Sequence, residues 1–322
     1  MIVTVTPNAA IDRTLSVPDF RLGRRHRSVE TTSMAGGKGV NVARALRALE
    51  RPVIATGLAG GPTGTLIAEQ LSAEGIVNDF TLIAEESRTS TAVLDPATGE
   101  QTEINERGPT VTEEELERFV EKVLYLARGA SLCVFAGSLP RNTDPGLYGR
   151  MIAEVRRLGV ATVLDVDGEP LRHAVRAEPD LVTPNELEAE ELVGHEFAED
   201  EDRLEAVREI AELGAREAIM TLSSGAVALL GGDDAGPRLC RAVLERTEEA
   251  VSTVGSGDAF LAGYVAGRHD GSEPLDCLRL AVAAGAESTR HLGAGVLDRR
   301  GVERLVPEVD LEVLGEPALN GS

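Results

Sequence analysis

A run of small residues precedes a carboxylate in the sequence GSGDAF, at positions 255–260. Apolar residues then recur at helical spacing from Phe260 to Val265, which predicts that a helix begins here. The unpaired N–H groups of a helix N-terminus favour an anion, and the small residues would let a phosphate approach the backbone. Asp258 would then lie beside the anion and could accept the proton of an attacking hydroxyl. The alternative is an ordinary turn in which Asp258 caps a helix.

A second glycine-rich loop, AGGKGVNVA, occupies positions 35–43 and also precedes a predicted helix. It lacks the Walker spacing, because Lys38 directly follows its glycines and no Ser or Thr comes next. No G-x-G-x-x-G follows the first predicted strand, so a dinucleotide-binding fold is a weak candidate. Lys38 and Lys122 are the only lysines of the chain. The position of Lys38 among three glycines favours binding of a substrate anion.

The 322-residue chain is acidic, with 54 Asp and Glu against 32 Lys and Arg and a formal net charge of −22. This excess of negative charge argues against nonspecific binding to nucleic acid or to an anionic membrane, so we expect small-molecule partners. It is compatible with adaptation to high salt and equally with a well-solvated surface. The three separated cysteines and five dispersed histidines indicate neither a disulfide framework nor a zinc site. With no export signal and no long apolar run, we expect a soluble cytoplasmic protein.

Short apolar segments, many of them β-branched, alternate with longer amphipathic segments. The predicted strands are 2–6, 53–56, 132–135, 162–166, 181–182 and 218–222, and the predicted helices are 40–49, 63–74, 113–127, 145–158 and 203–213. This alternation predicts a mostly parallel sheet covered by helices on both faces.

Two regions, 14–34 and 78–105, break the pattern with short alternating segments that predict strands without helices. We expect them to form a small β-sheet lid whose exposed face joins two copies of the chain in a homodimer. The remaining parts of the chain would be the main α/β domain, formed by 1–13, 35–77 and 106–310, and a tail, 311–322.

The two glycine loops, read as GGKGVNVARAL from position 36 and STVGSGDAF from position 252, resemble the signatures of the phosphofructokinase B family of ribokinase-like sugar kinases. The likeness runs from the first strand to about Arg290 and includes AGSLP at 136–140 and TPNELE at 183–188. It implies a ribokinase-like three-layer α/β/α sandwich with a mostly parallel sheet and a small lid. It also implies phosphoryl transfer from ATP to a sugar hydroxyl with the help of Mg²⁺.

The resemblance assigns the catalytic, metal and nucleotide residues. Asp258 matches the catalytic base, and the backbone of Gly255, Ser256 and Gly257 matches the anion hole for the transferring phosphate. Asn185 and Glu188 match an N-x-x-E motif that helps to hold Mg²⁺, largely through water. The residues matched to the nucleotide region are Asn185, Thr221, Ser223, Gly225 and Gly257.

On the sugar side, the residues that match hydroxyl-binding and loop positions are Asp12, Gly36, Gly37, Asn41 and Ser138. The sequence TPNAAIDRT near the start resembles the branch of the family that acts on phosphorylated ketohexoses. A phosphate already on the sugar needs cationic ligands, and the candidates are Lys38, Arg88, Arg25 and Arg27. The alternatives are a surface ion pair for Arg88 and solvated loop positions for Arg25 and Arg27.

Within this branch, GGKG is more similar to kinases of fructose 1-phosphate and tagatose 6-phosphate than to the minor 6-phosphofructokinases. The resemblance therefore implies phosphorylation of fructose 1-phosphate on its 6-hydroxyl to fructose 1,6-bisphosphate. Tagatose 6-phosphate or fructose 6-phosphate remains an alternative substrate. A sugar-phosphate-binding regulator without catalysis is an alternative from a different class.

Three positions depart from the family pattern. The segment 221–225 reads TLSSG where relatives usually carry T-x-G-x-x-G, which puts individual nucleotide contacts in doubt. Thr183 stands where relatives often have lysine, and Ser256 replaces the commoner alanine. A monovalent cation site beside the anion hole, built from backbone carbonyls in some relatives, is a further option.

Overall fold

The computed structural model describes residues 1–231, 236–245 and 250–314. The strands of the larger sheet are β1 (Ile2–Thr6), β4 (Val53–Gly60), β5 (Val77–Asn78), β6 (Thr81–Ile83), β9 (Leu132–Ala136), β10 (Ala161–Asp165), β11 (Leu181–Val182), β12 (Glu217–Leu222), β13 (Gly225–Leu230), β14 (Arg238–Val243) and β15 (Asp310–Leu314). The second sheet contains β2 (Ala10–Ser16), β3 (Glu30–Gly36), β7 (Arg88–Leu94) and β8 (Gln101–Asn105). The α-helices are α1 (Lys38–Ala48), α2 (Gly61–Ala73), α3 (Glu113–Ala127), α4 (Leu147–Arg157), α5 (Gly168–Ala174), α6 (Glu186–Val193), α7 (Asp200–Glu212), α8 (Ser256–His269), α9 (Pro274–Ser288) and α10 (Arg299–Leu305).

The larger sheet runs in the order β15-β14-β13-β12-β11-β10-β9-β1-β4-β5, with β6 also paired to β4. Every pair from β12 through β4 to β5 and β6 is parallel. The pairs that join β12, β13, β14 and β15 are antiparallel. The predicted mostly parallel sheet is therefore confirmed, with an antiparallel extension at one edge.

Each face of the larger sheet is covered by helices. Along β1, Ile2 belongs to a core shared with α1, α2, α8 and α9, whereas Val3 and Val5 belong to a core shared with α3 to α7. This division follows from the alternation of strand side chains between the two faces. The predicted three-layer α/β/α sandwich is confirmed.

The second sheet has the order β3-β2-β7-β8. Its first two strands pair from Ala10 opposite Gly36 to Ser16 opposite Glu30. They thus extend beyond the region 14–34 in which the sequence places them. β6, inside the predicted region 78–105, pairs instead with β4 of the larger sheet, Leu58 opposite Thr81. The boundary between the two sheets is set by this hydrogen bonding rather than by the change in sequence pattern.

The strand β15 was not expected from the sequence, because 311–322 reads as a weakly patterned tail. In the structure Leu311 lies opposite Ala242 of β14, so residues up to Leu314 extend the larger sheet. The rest of the predicted tail lies outside the described residues.

Helix α8 is almost entirely buried and packs against α1 and α9. Its small residues make this close packing possible. A Cβ on Gly263 would lie 2.7 Å from the carbonyl oxygen of Leu280 in α9. The packing fixes the N-terminus of α8, and with it the sequence GSGD, at one end of the fold.

Candidate active site

A cleft of about 1410 Å³ opens where the parallel strands of the larger sheet end. Thr6, Gly137, Asp165, Thr183 and Thr221 line it, each at or just after the carboxyl end of a strand. Strands β2, β7 and β8 of the second sheet contribute the facing wall. Ligands of open α/β sheets bind at this end of the strands. The volume exceeds the roughly 300–1,000 Å³ of a typical ligand pocket, which leaves room for two substrates.

Two helix N-termini face the cleft. Helix α1 begins after Gly37, whose φ is 101°, and α8 begins after Gly255, whose φ is 77°. Neither glycine has a side chain that could cap the first-turn N–H groups. The Ser256 N–H donates to the carbonyl of Thr253 at 3.2 Å, and the N-terminus of each helix still favours an anion. A Cβ on Gly255 would lie 2.6 Å from Cα of Ala294, so the turn requires glycine.

Asp258 lies in the first turn of α8 and is 7% exposed. Nδ2 of Asn41 in α1 donates a hydrogen bond of 2.8 Å to Oδ2 of Asp258. Burial and the charge of Asp165 raise the pKa of Asp258 to about 7, against the lowering effects of Lys38 and Asn41. A carboxylate with this pKa can take up a proton near neutral pH, as a general base must.

Lys38 is bound by two carboxylates. Its Nζ donates to Oδ1 of Asp165 at 3.1 Å and to Oε1 of Glu188 at 3.2 Å. Burial alone would lower the pKa of Lys38, but the two carboxylates raise it overall, so the ammonium stays charged. Its charge also lowers the pKa of Asp258. Lys38 therefore lies among the carboxylates at the centre of the cleft and is not a free anion ligand in this structure.

Asn185 and Glu188 form a capping box at the start of α6. Oδ1 of Asn185 accepts from the backbone N–H of Glu188, and Oε2 of Glu188 accepts from the backbone N–H of Asn185, both at 2.9 Å. The N-x-x-E spacing thus has a structural role of its own. Burial and Asp165 raise the pKa of Glu188, against the effect of Lys38.

The oxygen ligands at this point fit Mg²⁺. Asp165 and Glu188 already converge on one cation, the Lys38 ammonium, and carboxylate oxygens are the ligands that Mg²⁺ prefers. Among the described residues, no group of three or more His, Cys, Asp or Glu side chains could hold a metal alone. In Mg²⁺ sites, water and substrate phosphates usually complete the coordination.

Asp12 and Gly36 meet where the second sheet joins α1. A Cβ on Gly36 would lie 1.9 Å from Oδ2 of Asp12, so glycine leaves the space that the carboxylate occupies. Burial raises the pKa of Asp12, while Arg88 and Arg44 lower it. Asp12 lines the cleft together with Gly37 and Asn41, whereas Gly36 lies behind it.

Arg88, at the start of β7, also lines the cleft. Its Nε donates to the backbone carbonyl of Asn8 at 3.1 Å, and its Nη1 donates to Ser90 and to the carbonyl of Glu106. Nδ2 of Asn8 in turn donates to Oγ of Ser138 at 3.1 Å. The guanidinium of Arg88 is thus positioned by the backbone rather than by a surface ion pair.

The predicted nucleotide-binding residues separate into two groups. Thr221 and Asn185 line the cleft and are joined by an isolated β-bridge. Ser223 and Gly225 do not line it: Ser223 lies in the turn between β12 and β13, and Gly225 is the first residue of β13. A Cβ on Gly225 would lie 2.0 Å from the carbonyl oxygen of Ala242, so this glycine allows β14 to approach β13 closely.

Three further predicted site residues do not line the cleft. Arg25 and Arg27 are exposed and lie in the irregular segment between β2 and β3. Ser256 begins α8, but the flanking glycines rather than its own side chain face the cleft.

The cleft also contains polar residues that were not identified from the sequence, among them Asn8, Arg107, Asp165 and Arg141. Asp165 could have been found from the sequence, because it lies near the carboxyl end of a predicted buried strand, where ligands of such sheets bind. Arg107 is exposed and lines the cleft near Asn8, whose Nδ2 donates to its carbonyl at 3.2 Å. Nothing in its local sequence distinguishes Arg107 from the many other arginines.

Two anion-binding helix N-termini and a buried carboxylate beside them are the components of a phosphoryl-transfer site. The sequence profile of the pfkB family of carbohydrate kinases matches residues 3–299, and the chain belongs to this family.

Known relatives match nearly the whole chain. The 1-phosphofructokinase of Borreliella burgdorferi is 30% identical over 312 residues, 97% of this chain and 98% of that protein. The 1-phosphofructokinase of Haloferax volcanii is 32% identical over 315 residues, again 97% and 98%. The structure of phosphofructokinase-2 from Escherichia coli in complex with potassium has a TM-score of 0.88 at 26% identity, covering 95% of this chain and 98% of that chain.

These findings define the class of enzyme. The chain is a phosphotransferase that acts on a sugar-phosphate hydroxyl, and kinases of its family use ATP and Mg²⁺. The family resemblance inferred from the two glycine loops is confirmed. In the three described ranges, no helix has both the length and the apolar character needed to cross a membrane.

Proposed function

We propose that this enzyme phosphorylates fructose 1-phosphate on its 6-hydroxyl, consuming ATP and producing fructose 1,6-bisphosphate and ADP. Two relatives named 1-phosphofructokinase, at 30% and 32% identity, support this substrate. The observation that carries the mechanism is the buried Asp258, which has a pKa of about 7 and lies in the first turn of the α8 helix whose N-terminus faces the cleft.

In the proposed step, the 6-hydroxyl oxygen attacks the γ-phosphorus of ATP. A new O–P bond forms, the bond from phosphorus to the β-phosphate oxygen breaks, and ADP leaves with that electron pair. Asp258 accepts the hydroxyl proton, and the hydrogen bond from Asn41 orients its carboxylate. The backbone of Gly255, Ser256 and Gly257, at the N-terminus of α8, stabilises the charge on the transferring group.

The sequence predicts that Lys38 binds the phosphate already present on the sugar. The contacts of Lys38 in the structure support a different role. Its ammonium instead contacts Asp165 and Glu188 and acts electrostatically on Asp258. We therefore propose that Lys38 stabilises the negative charge on the transferring phosphoryl group, because its ammonium contacts Asp165 and Glu188 and acts on the charge of Asp258.

Asn185, Glu188 and Asp165 are the residues proposed to hold Mg²⁺, in part through water. When bound, Mg²⁺ neutralises the charge of the nucleotide phosphates. In this structure Oδ1 of Asp165 and Oε1 of Glu188 each accept a hydrogen bond from Lys38, so both carboxylates already face positive charge.

Arg88 and Arg107 are the proposed ligands of the phosphate already on the sugar. Both line the cleft, and the backbone carbonyls of Asn8 and Glu106 fix the Arg88 side chain. Asp12 and Asn41 would bind sugar hydroxyls, since a carboxylate accepts and an amide both donates and accepts. Arg25 and Arg27 stay predictions with less support, because they are exposed and lie outside the cleft.

A panel of sugars tests the substrate. ADP release is measured with fructose 1-phosphate, fructose 6-phosphate, tagatose 6-phosphate and unphosphorylated fructose. The proposal predicts the highest kcat/KM for fructose 1-phosphate. A higher value for a 6-phosphate would instead identify one of the alternative sugar-phosphate kinases. Binding of sugar phosphates without ADP release would identify a regulator.

The homodimer and the monovalent cation are also proposals. Leu22, Val29 and Ile104 are large exposed apolar side chains in or beside the second sheet, which a second copy would cover. Light scattering at micromolar concentration should give twice the mass of the chain, and a monomer would refute the pairing. Turnover compared in potassium and sodium salts at equal ionic strength tests the cation.

A further inference from the structure

Arg44 lies on α1, one turn beyond Asn41, and is 8% exposed. A guanidinium has five N–H donors in a fixed plane, and here each has an acceptor. Nε donates to Oε2 of Glu74 at 2.6 Å, Nη1 to Oδ1 of Asn41 at 3.2 Å and to the carbonyl of Ala294 at 3.1 Å, and Nη2 to the carbonyl of Ala35 at 2.6 Å and to Oε1 of Glu74 at 3.1 Å.

The contact with Asn41 determines which way its amide faces. Because Oδ1 of Asn41 accepts from the Arg44 guanidinium, its Nδ2 must point to the other side, where it donates to Asp258 at 2.8 Å. In the opposite orientation the NH₂ group would face a cation and the oxygen would face a carboxylate. Both contacts would be unfavourable, so the charge of Arg44 selects the orientation that Asp258 needs.

Arg44 also donates to the backbone carbonyls of Ala294 and Ala35, which lie near different parts of the cleft. Ala294 packs directly on Gly255, where a Cβ would lie 2.6 Å from its Cα, so this contact supports the turn before α8. Ala35 precedes Gly36, which makes room for Asp12. The buried Arg44 side chain therefore contacts residues next to the proposed base, next to the anion hole and next to the sugar-binding part of the cleft.

We propose that Arg44, held by Glu74, is a positioning residue for phosphoryl transfer: it fixes the Asn41 amide and thereby orients the Asp258 carboxylate. The inference rests on the proposed function of Asp258 as the base. Glu74 directly follows the end of α2 and binds the guanidinium through both carboxylate oxygens. This two-point contact fixes the plane of the guanidinium as well as its charge.

A purely structural role, joining α1 to α2, makes a different prediction. Arg47 provides the control, because it lies on the same helix and its Nε donates to the carbonyl of Gly75, next to Glu74, at 3.2 Å. Arg47 is exposed at the protein surface, whereas Asp258 is buried. Loss of this neighbouring link should therefore leave the chemistry of Asp258 unchanged.

The test is a double-mutant cycle on the full-length enzyme, comparing Arg44→Lys, Asn41→Ala and the double variant by kcat and KM. Arg44→Lys retains the charge but not the planar set of donors. We expect kcat to fall roughly 10- to 100-fold with a smaller change in KM, as for a displaced catalytic group. In the Asn41→Ala background the same substitution should have less than about a third of its effect on log kcat, because the group through which it acts is already lost. Arg47→Lys should retain wild-type kcat.

A pH profile adds a readout that a structural role would not change. The charged groups that most affect the pKa of Asp258 are Asp165, Lys38 and Asp12, and Arg44→Lys replaces none of them. Loss of the oriented Asn41 hydrogen bond, which lowers the pKa of Asp258, should shift the acidic limb of kcat/KM to higher pH. The shift should appear in Arg44→Lys and Asn41→Ala and be absent in Arg47→Lys.

If Arg44→Lys does not fold, Glu74→Gln provides the milder change and should shift kcat and the acidic limb in the same direction. Additive effects on log kcat, or an unshifted acidic limb in a folded and active variant, would overturn the positioning role alone. A wild-type protein that phosphorylates no sugar phosphate would overturn the proposed function as well. The two failures are therefore distinguishable.

Discussion

Replacing Asp258 by asparagine should stabilise the protein while it abolishes most of the activity. The carboxylate has a pKa of about 7 in the folded protein against an ordinary value of 3.8, because burial and Asp165 oppose its charge. The native state therefore binds a proton more tightly than the unfolded state between these two pH values. Stability is consequently lost as pH rises from about 4 to 7.

The magnitude follows from about 1.4 kcal/mol per pKa unit. A shift of roughly 3 units corresponds to a destabilisation of about 4 kcal/mol at pH 8, falling to about 2 kcal/mol at pH 5. The asparagine side chain would retain the shape of the aspartate and could still accept from Asn41 without the charge. The free energy of unfolding of Asp258→Asn should accordingly exceed that of the wild type by up to about 4 kcal/mol at pH 8 and by less at pH 5.

Denaturant unfolding of both proteins at pH 5 and pH 8 measures this difference. Asp276→Asn on α9, where the carboxylate is 65% exposed, is the control and should show no comparable gain. In parallel, turnover of Asp258→Asn should fall roughly 10²- to 10⁴-fold. A variant equally or less stable than the wild type at pH 8 would refute the electrostatic account of Asp258.

Three further predictions concern residues around Asp258. Arg88→Ala should raise the KM for the sugar phosphate with a smaller change in kcat, and steady-state kinetics in which kcat alone falls would contradict its role as a phosphate ligand. Lys38→Met should lower kcat and move the acidic limb of the pH–rate profile upward, because Lys38 lowers the pKa of Asp258; an acidic limb that stays in place would exclude this coupling. Gly255→Ala should lower the free energy of unfolding by roughly 1–3 kcal/mol in denaturant titrations, since its φ of 77° and its contact with Ala294 leave no room for a Cβ.

The larger sheet could be predicted because its strands are short, buried and β-branched, as in Ile2–Thr6, and lie between amphipathic helices. The strands β13 and β14 were missed because they follow β12 as an antiparallel run without intervening helices, and β15 was missed because it comes after α10 in a weakly patterned segment. The pairing of β6 with β4 was missed because hydrogen-bond partners distant in sequence leave no local signal.

The two glycine loops could be assigned to one site because each precedes a helix, and a helix N-terminus has an intrinsic affinity for anions. Their side-chain partners could not be assigned. Lys38 pairs with Asp165 and Glu188, which are 127 and 150 residues away in sequence. Arg44 contacts Ala294, 250 residues away, although it lies within the motif read from the sequence. These contacts join α1 to β10, to α6 and to the segment after α9, and such long-range packing leaves no local signal in the sequence.

The most direct test of the proposed activity is a comparison of wild type and Asp258→Asn with fructose 1-phosphate and ATP, following ADP release and identifying the product by ³¹P NMR. We expect fructose 1,6-bisphosphate from the wild type and a loss of turnover of roughly 10²-fold or more in the variant, with binding of both substrates retained. Near-normal turnover of Asp258→Asn, or a preference of the wild type for an unphosphorylated sugar, would contradict it.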